Sequence, residues 1–301
     1  MGAGSTPVPS GPVDAAAFHG SRRFVSTRFG RIAYVERGTG NAALFLDGLP
    51  LNGYQWRGAL ERLSPYRRCI TPDSMGLGYS EIPEGQSLAP EAQAEMFAAF
   101  LDILGIRSVD LVGSDSGGAV AQIFVARYPG RVRTLLLTNC DVHEDSPPSV
   151  LLPLIAQARE GKFADEVLVP QIRDKATARM PEGLGGLCYT DPARLTDEAL
   201  DCYLMPLVSS PLRKAQLHQY IVALERNPLS PIEPALRSSQ VPLRVVWGTG
   251  DTLFEPSGPD WLGRIFPQSR GVRRIEGAKL FFPEEFPDVI AEEARRLWVE
   301  M

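Results

Sequence analysis

The sequence predicts an α/β fold with a mostly parallel central sheet, helices on both faces of the sheet and a helical cap. Short apolar runs, typical of buried strands, alternate with amphipathic helical segments toward both ends of the chain. Between them, residues 139–239 contain no strand-like run, and Pro and Gly separate their helical segments. The alternation indicates parallel strands joined by covering helices, and the interruption indicates an inserted cap.

Composition is consistent with this architecture and excludes several classes of partner. The 301 residues, 44% of them hydrophobic, suffice for one large α/β domain with an insertion or for two domains. The formal net charge is −5 and no run of Lys or Arg occurs, which argues against a nucleic-acid partner. No apolar run approaches the ~18 residues of a membrane span. The sequence specifies no oligomeric state.

The domain prediction divides the chain into a tail, a core in two segments, and the cap. Residues 1–20 lack the charged and apolar regions of a secretory signal, and we expect a disordered N-terminal tail. The core is expected over 21–138 and 240–301, with the cap over 139–239. Four cysteines are scattered without metal-ligand spacing, which suggests reduced thiols in a cytoplasm. They are Cys69, Cys140, Cys188 and Cys202.

The elements of the core follow from hydrophobic periodicity. Apolar alternation predicts two strands from about residue 21 to 38, joined near Gly30. Continuous apolar runs predict strands at 42–46, 68–73, 109–112, 132–138, 241–247 and 272–275. Helical patterns are expected at 54–63, 90–104, 118–128, 258–266 and 284–299 in the core, and at 150–159, 164–175, 196–204 and 211–225 in the cap.

The chain is organised around the strand–turn–helix segment that contains Asp115. Gly113 and Gly117 flank this residue at a distance of two, in the sequence Gly-Ser-Asp-Ser-Gly between a buried strand and a helix. Such spacing suits a sharp corner, the nucleophile elbow, whose central side chain is exposed at the end of the sheet. A carboxylate stands where serine is usual. The alternative interpretation is a Gly-rich turn that places an Asp near a helix N-terminus.

Four further motifs, in order along the chain, resemble those of the α/β-hydrolase superfamily, and the resemblance extends from about Ser21 to the C-terminus. They are Ala-Leu-Phe-Leu-Asp-Gly-Leu-Pro at 43–50, Thr-Pro-Asp-Ser-Met-Gly-Leu-Gly-Tyr-Ser at 71–80, Val-Val-Trp-Gly-Thr-Gly-Asp at 245–251 and Glu-Gly-Ala-Lys-Leu-Phe-Phe-Pro-Glu-Glu at 276–285. With Asp in the elbow, the most similar branches are the haloalkane dehalogenases, fluoroacetate dehalogenases and epoxide hydrolases. The resemblance implies an α/β-hydrolase fold.

The resemblance also implies roles for particular residues. Asp115 takes the nucleophile position and Asp251 the position of the acid. The catalytic His position holds Lys279, and the His of the His-Gly motif is replaced by Asp47. The backbone N–H groups of Leu49 and Ser116 would form the oxyanion hole. The side chains of those two residues cannot donate as the halide-binding side chains of dehalogenases do.

The replacement of His by Lys is compatible with three hypotheses about the chemistry. An unperturbed lysine has a pKa near 10.4, so Lys279 is expected to stay cationic and, if it lies between Asp115 and Asp251, to keep Asp115 ionised. The first hypothesis is then cofactor-free acid/base chemistry of the lyase, isomerase or cyclase type. The second is an Asp-nucleophile hydrolase that uses another base, with His143 or His218 as candidates. The third is a catalytically inert homologue that binds a ligand.

The cap is expected to supply the remainder of the site. Its leucines predict a largely apolar pocket between cap and sheet, and hence a small or medium apolar organic substrate. Three cap tyrosines, Tyr189, Tyr203 and Tyr220, are candidates for protonating a substrate oxygen, as cap tyrosines do in epoxide hydrolases. No metal or organic cofactor motif occurs, neither a Rossmann fingerprint nor a Walker motif.

Overall fold

An eight-stranded sheet forms the centre of the molecule, a computed structural model that describes residues 14–143 and 145–299. The strand order is β1-β2-β4-β3-β5-β6-β7-β8; β1 and β2 are antiparallel to their neighbours, and all other pairs are parallel. The strands are β1 Arg23–Thr27, β2 Gly30–Arg37, β3 Ala42–Leu46, β4 Arg68–Pro72, β5 Val109–Asp115, β6 Val132–Cys140, β7 Leu243–Gly248 and β8 Ser269–Ile275.

Thirteen α-helices accompany the sheet in the part of the chain that the structure describes. Helix α2 packs against α13, and α3 packs against α4, so the predicted covering of the sheet by helices is confirmed. The helices are α1 Ala15–Gly20, α2 Arg57–Leu63, α3 Pro90–Ile103, α4 Ser116–Arg127, α5 Leu152–Arg159, α6 Val169–Arg173, α7 Leu184–Cys188, α8 Asp197–Val208, α9 Pro211–Ala223, α10 Glu233–Arg237, α11 Gly258–Ile265, α12 Phe282–Glu285 and α13 Pro287–Val299.

The central strands β3 and β5 are buried along their whole length. This explains their continuous apolar sequences, because a parallel strand covered on both faces has no solvent side to carry polar residues. The edge strand β8 is at most half-buried and accordingly carries three arginines. The carboxyl ends of β3, β5, β6 and β7 meet at one edge of the sheet, where the candidate site lies.

Regular secondary structure begins nearer the N-terminus than the sequence suggests. Residues 14–20 were expected to belong to a disordered tail, and they form helix α1 instead; residues 1–13 lie outside the described residues. Asp14 caps this helix by accepting from the N–H of Ala17, and the buried ring of Phe18 packs edge-on against Tyr54, with centroids 5.2 Å apart. One buried aromatic ring and one cap therefore fix a segment whose composition resembles a linker.

Between β6 and β7 the described residues form helices and no sheet strand. Helix α8 continues to Val208 although Pro206 lies inside it, so it exceeds the predicted 196–204. The predicted helix at 164–175 begins as a π-turn, Ala164–Leu168, and ends at Arg173. The five-residue helix α7, with two glycines, was not predicted. No helix among the described residues is both long and apolar enough to cross a membrane.

Candidate active site

A sharp corner between β5 and α4 presents Asp115 at the edge of the sheet. Its backbone has φ 54° and ψ −134°, a conformation that non-glycine residues rarely adopt, and such strain is characteristic of functional sites. The close packing around the corner requires glycine at two positions, in the first turn of α4 and in the facing loop after β3. A Cβ on Gly117 would lie 2.3 Å from the carbonyl oxygen of Asp47, and a Cβ on Gly48 would lie 2.2 Å from Oδ2 of Asp115. The predicted elbow is therefore present, with its carboxylate confined by close backbone.

Burial controls the ionisation of Asp115. The residue is only 7% exposed, and this burial raises the pKa of its carboxyl to about 7, although hydrogen bonds from the N–H groups of Ser116 and Leu49 favour the ionised form. The charge of Asp251 adds to the increase. The two N–H groups that were expected to hold a substrate oxyanion therefore act on the carboxylate of Asp115 itself.

Lys279 does not form the expected ion pair with Asp115. Its Nζ donates to the carbonyl oxygen of Gly186 at 2.5 Å, and among the described residues no carboxylate lies within 4.0 Å of it. Gly186 lies in the last turn of α7, where carbonyl groups lack helical partners and attract cations. The expectation that Lys279 keeps Asp115 ionised is wrong, because the ammonium donates instead to a carbonyl oxygen at the end of a cap helix.

Asp251 lies in the loop after β7, at the same edge of the sheet. Its Oδ2 accepts from Nδ2 of Asn139 at 2.7 Å, and its Oδ1 accepts from the N–H of Leu253 at 2.9 Å. Burial nevertheless raises its pKa. The side chain of Asn139, a residue of β6, also forms hydrogen bonds with the backbone of Gly248 at the end of β7. Strand β6 therefore fixes the position of Asp251.

Two more buried carboxyls complete the site. Asp141 follows β6, is 6% exposed, and accepts from Oγ of Ser146 at 3.0 Å; burial and the charge of Asp115 raise its pKa to about 8. Asp47 is fully buried, and burial and the charge of Asp73 raise its pKa although backbone N–H groups of Asp47 and Ser74 favour its ionised form. The sequence analysis missed Asp141, although its position just beyond a predicted strand could have indicated it.

Tyr220 is the cap tyrosine that reaches this edge. Its hydroxyl oxygen lies 3.0 Å from Oγ of Ser116, the residue after Asp115, and its side chain is buried. Burial raises its pKa, and the charges of Asp47, Asp115 and Asp141 raise it further. Tyr220 therefore keeps its proton and can donate it in a hydrogen bond.

The other two candidate tyrosines have a structural partner. The hydroxyl groups of Tyr189 and Tyr203 both donate to Oε2 of Glu284 at 2.7 Å. The other oxygen of Glu284 forms an ion pair with Arg57 at 2.7 Å. These four side chains, the Glu284 cluster, connect cap and core through a buried ion pair, and they engage both tyrosine hydroxyls.

The structure also places the three histidines. The ring of His143 stacks on Trp261 with centroids 4.7 Å apart, and its Nδ1 lies 3.1 Å from Glu233. Nε2 of His218 accepts from the N–H of Ala164 at 3.0 Å, and burial lowers its pKa. His19 packs against the ring of Tyr79. Within the described ranges, no group of three or more Cys, His, Asp and Glu side chains is arranged to hold a metal ion.

Comparison with known proteins agrees with this architecture. The family model of the alpha/beta hydrolase fold matches residues 42–286. A haloalkane dehalogenase of Agrobacterium fabrum is 31% identical over 290 residues, 90% of each chain. A cis-3-alkyl-4-alkyloxetan-2-one decarboxylase of Shewanella oneidensis is 29% identical over 151 residues, 49% of this chain and 47% of that protein. The solved structure of the epoxide hydrolase CorEH without ligand superposes with a TM-score of 0.76 at 20% identity, covering 93% of this chain and 98% of that one.

Proposed function

Since this chain belongs to the α/β-hydrolase fold family and is an enzyme of that superfamily, we propose that it transfers protons with the carboxyl of Asp115. The reaction is cofactor-free acid/base chemistry of the lyase, isomerase or cyclase type. The substrate is a small or medium apolar organic molecule with one polar reacting group. The observation that carries the proposal is a buried Asp115 carboxyl held at a strained corner at the edge of the sheet, where burial raises its pKa to about 7.

The pKa of Asp115 suits proton transfer. General acid/base catalysis is most efficient when the pKa of the group lies near the operating pH, because a useful fraction of each protonation state is then present. An ordinary aspartate, with a pKa near 3.9, is a weak base at neutrality. Burial makes Asp115 a stronger base, and the N–H groups of Leu49 and Ser116 orient its oxygens.

The position of Lys279 argues against turnover through a covalent ester. In the Asp-nucleophile branches a neutral base must activate water to hydrolyse that ester, and imidazole serves because its pKa lies near neutrality. An ammonium that donates to Gly186 has no free lone pair with which to accept a proton. The geometry therefore favours chemistry in which Asp115 itself carries the proton.

The pair of hydroxyls beside Asp115 supports a role in binding a substrate oxygen. Oγ of Ser116 accepts from the N–H of Leu49 at 3.2 Å and lies 3.0 Å from the hydroxyl of Tyr220. A protonated phenol at this point can donate to an oxygen that gains negative charge during the reaction. Asp115 and Tyr220 would then act on neighbouring atoms of one substrate.

The cap supports an apolar substrate. Ile155, Leu204 and Leu207, three of the cap residues expected to line the pocket, are buried, whereas Leu152 and Met205 are about half exposed.

The similar protein from Agrobacterium fabrum is a haloalkane dehalogenase. The one from Shewanella oneidensis is a decarboxylase, which supports non-hydrolytic chemistry in a related sequence.

Deuterium exchange tests the proposal. The full chain is incubated in D₂O with cyclohexanone, which reports proton removal beside a carbonyl, and with diacetone alcohol, which reports retro-aldol cleavage. We expect deuterium incorporation or acetone release above the buffer rate, and we expect Asp115→Asn to abolish it. If wild type and Asp115→Asn behave alike with both probes, proton transfer by Asp115 on these substrate classes is excluded.

A second candidate function, an Asp-nucleophile hydrolase, is favoured by one feature. The N–H groups of Leu49 and Ser116 stabilise the ionised carboxylate of Asp115, the form that attacks carbon. Intact mass after incubation with bromobutane and epoxybutane decides between the candidates. A stable adduct that Asp115→Asn lacks, and that Lys279→His hydrolyses, would favour the ester route. Stabilisation by ligands without adduct or exchange would favour the ligand-binding homologue.

A further inference from the structure

Asp141 lies next to Asp115 at the carboxyl edge of the sheet. Strands β5 and β6 are parallel, the Cα atom of Asp115 pairs with that of Cys140, and Asp141 is the following residue. We infer that Asp115 and Asp141 form a coupled carboxyl pair that holds one proton at neutral pH and supplies the site with both an acceptor and a donor. The inference rests on the proposed function, because it names the second group of the same proton transfer.

Both carboxyls are buried without a counter-ion. Asp115 is 7% and Asp141 6% exposed, and no ammonium or guanidinium of the described residues lies within 4.0 Å of either. Two ionised carboxylates at one desolvated edge repel each other, so ionisation of the first opposes ionisation of the second. Groups that interact by more than about one pH unit titrate as a pair.

The groups around Asp141 are mostly acidic or neutral. Asp115 lies on the neighbouring strand β5. Burial makes the largest contribution to the raised pKa of Asp141, and the charges of Asp115 and of Asp145, in the same loop as Asp141, raise it further. Cys140 and Tyr220 also lie within the field of Asp141. The hydroxyl of Ser146 and a backbone N–H favour its ionised form.

Hydrogen bonding makes the pair asymmetric. Two N–H groups and the Ser116 side chain favour the ionised form of Asp115, whereas the Ser146 side chain and one N–H group favour that of Asp141. Hydrogen bonds to a carboxylate stabilise its charge. The charge is therefore expected on Asp115 and the shared proton on Asp141.

This distribution allows a balanced cycle. Asp115 accepts a proton from a C–H or O–H bond of the substrate, and the electron pair of that bond moves into the substrate. Asp141 donates its proton to the atom of the substrate that gains the electrons. After product release, the proton on Asp115 passes to Asp141, and the starting state is restored without an added oxidant, reductant or cofactor.

Carbon-13 NMR of the full chain with labelled aspartate carboxyls tests the pairing. Loss of the Asp115 charge by Asp115→Asn should lower the titration midpoint of Asp141 by about one pH unit, because Asp115 ionises first and its charge opposes ionisation of Asp141. Asp260→Asn, which removes a surface carboxylate paired with Arg274, should leave that midpoint unchanged. An Asp141 midpoint that Asp115→Asn leaves within a few tenths of a unit of wild type would overturn the pairing.

Ser146→Ala provides a second variant that keeps both carboxyls. Loss of the 3.0 Å hydrogen bond from Ser146 should raise the midpoint of Asp141. An unchanged or lowered Asp141 midpoint would contradict the inference. The two proposals fail separately. A wild-type Asp115 midpoint near that of an ordinary aspartate overturns the proposed function. An Asp115 midpoint near 7 together with an Asp141 midpoint that Asp115→Asn leaves unchanged overturns only the pairing.

Discussion

The side chain of Lys279 donates to the carbonyl oxygen of Gly186 at 2.5 Å, so this ammonium, which was expected beside Asp115, binds the cap. The backbone N–H of Lys279 accompanies this contact by donating to Oγ1 of Thr190 at 3.2 Å. Both bonds join the last loop of the core to the end of α7. No ammonium or guanidinium in the described part of the chain lies within 4.0 Å of Asp115, and burial dominates its pKa.

The contact of Lys279 with Gly186 predicts a structural role for the lysine. Lys279→Met should lower the free energy of unfolding by about 1.5–3 kcal/mol, the usual contribution of a hydrogen bond from a charged group. Deuterium exchange per folded molecule should fall less than about tenfold, because Asp115 keeps its environment. Lys162→Met, which removes an exposed lysine paired with Glu160, is the matched control. Exchange as low as that of Asp115→Asn would show that the lysine acts on the proton.

Tyr220 should matter for activity more than for stability. Tyr220→Phe removes the hydroxyl 3.0 Å from Ser116 and keeps the ring, so exchange should fall by about 10²–10³-fold, the usual cost of losing one hydrogen-bond donor to a developing oxyanion. The matched control is Tyr203→Phe, whose hydroxyl donates to Glu284 and should leave exchange within a few-fold of wild type. Equal effects of the two variants on exchange would contradict the assignment of Tyr220 to the site.

The Glu284 cluster should stabilise the junction of cap and core. The side chains of Arg57 and Glu284 are 18% and 4% exposed, and loss of one partner of a buried pair costs about 3–5 kcal/mol. Glu284→Gln should therefore lower the melting temperature clearly. Asp288→Asn breaks the exposed pair with Arg62 and should cost at most about 1 kcal/mol. Similar melting temperatures for the two variants would refute a structural role of the cluster.

The raised pKa of Asp115 predicts how stability depends on pH. The folded state binds the proton up to about pH 7, whereas the unfolded chain releases it near pH 4, so this contribution is complete below about pH 4 and is lost as the pH rises toward 7. A difference of about three units corresponds to roughly 4 kcal/mol. Asp115→Asn cannot ionise and should therefore be more stable than wild type at pH 8.

Urea unfolding at pH 5 and pH 8 measures this effect. The difference in unfolding free energy between Asp115→Asn and wild type should increase from pH 5 to pH 8. Asp102→Asn, which removes a largely exposed carboxylate paired with Arg131, should show no such increase. A difference that stays constant with pH would mean that Asp115 is ionised in the folded protein at pH 5.

The sequence predicted the features that depend on local spacing. Gly113 and Gly117 around Asp115 predicted the corner, since only small residues allow the close approach that the backbone makes there. The apolar runs of β3 and β5 predicted buried parallel strands, because both faces of these strands are covered. Asp251 was expected at the same edge, and its charge acts on Asp115.

Features that depend on tertiary contacts could not be predicted in this way. The acceptor of Lys279 is a backbone carbonyl 93 residues earlier in the chain, in a helix too short to show a periodic pattern. Which cap tyrosine faces Asp115 depends on the rotation of helices about their axes. Tyr189 and Tyr203 differ from Tyr220 because their hydroxyl groups donate to Glu284, which lies 95 and 81 residues later in the chain, respectively. The local sequence around the three tyrosines does not indicate this partner.

The titration of the Asp115 carboxyl in the wild-type chain tests the central claim most directly. Its carbon-13 resonance, assigned by its loss in Asp115→Asn, is followed from pH 3 to pH 10. The account predicts a midpoint of about 7, because the carboxyl is buried and no cation of residues 14–143 or 145–299 pairs with it. A midpoint near 4 would show an aspartate that is ionised throughout the neutral range, and it would contradict the proposal that Asp115 transfers the proton.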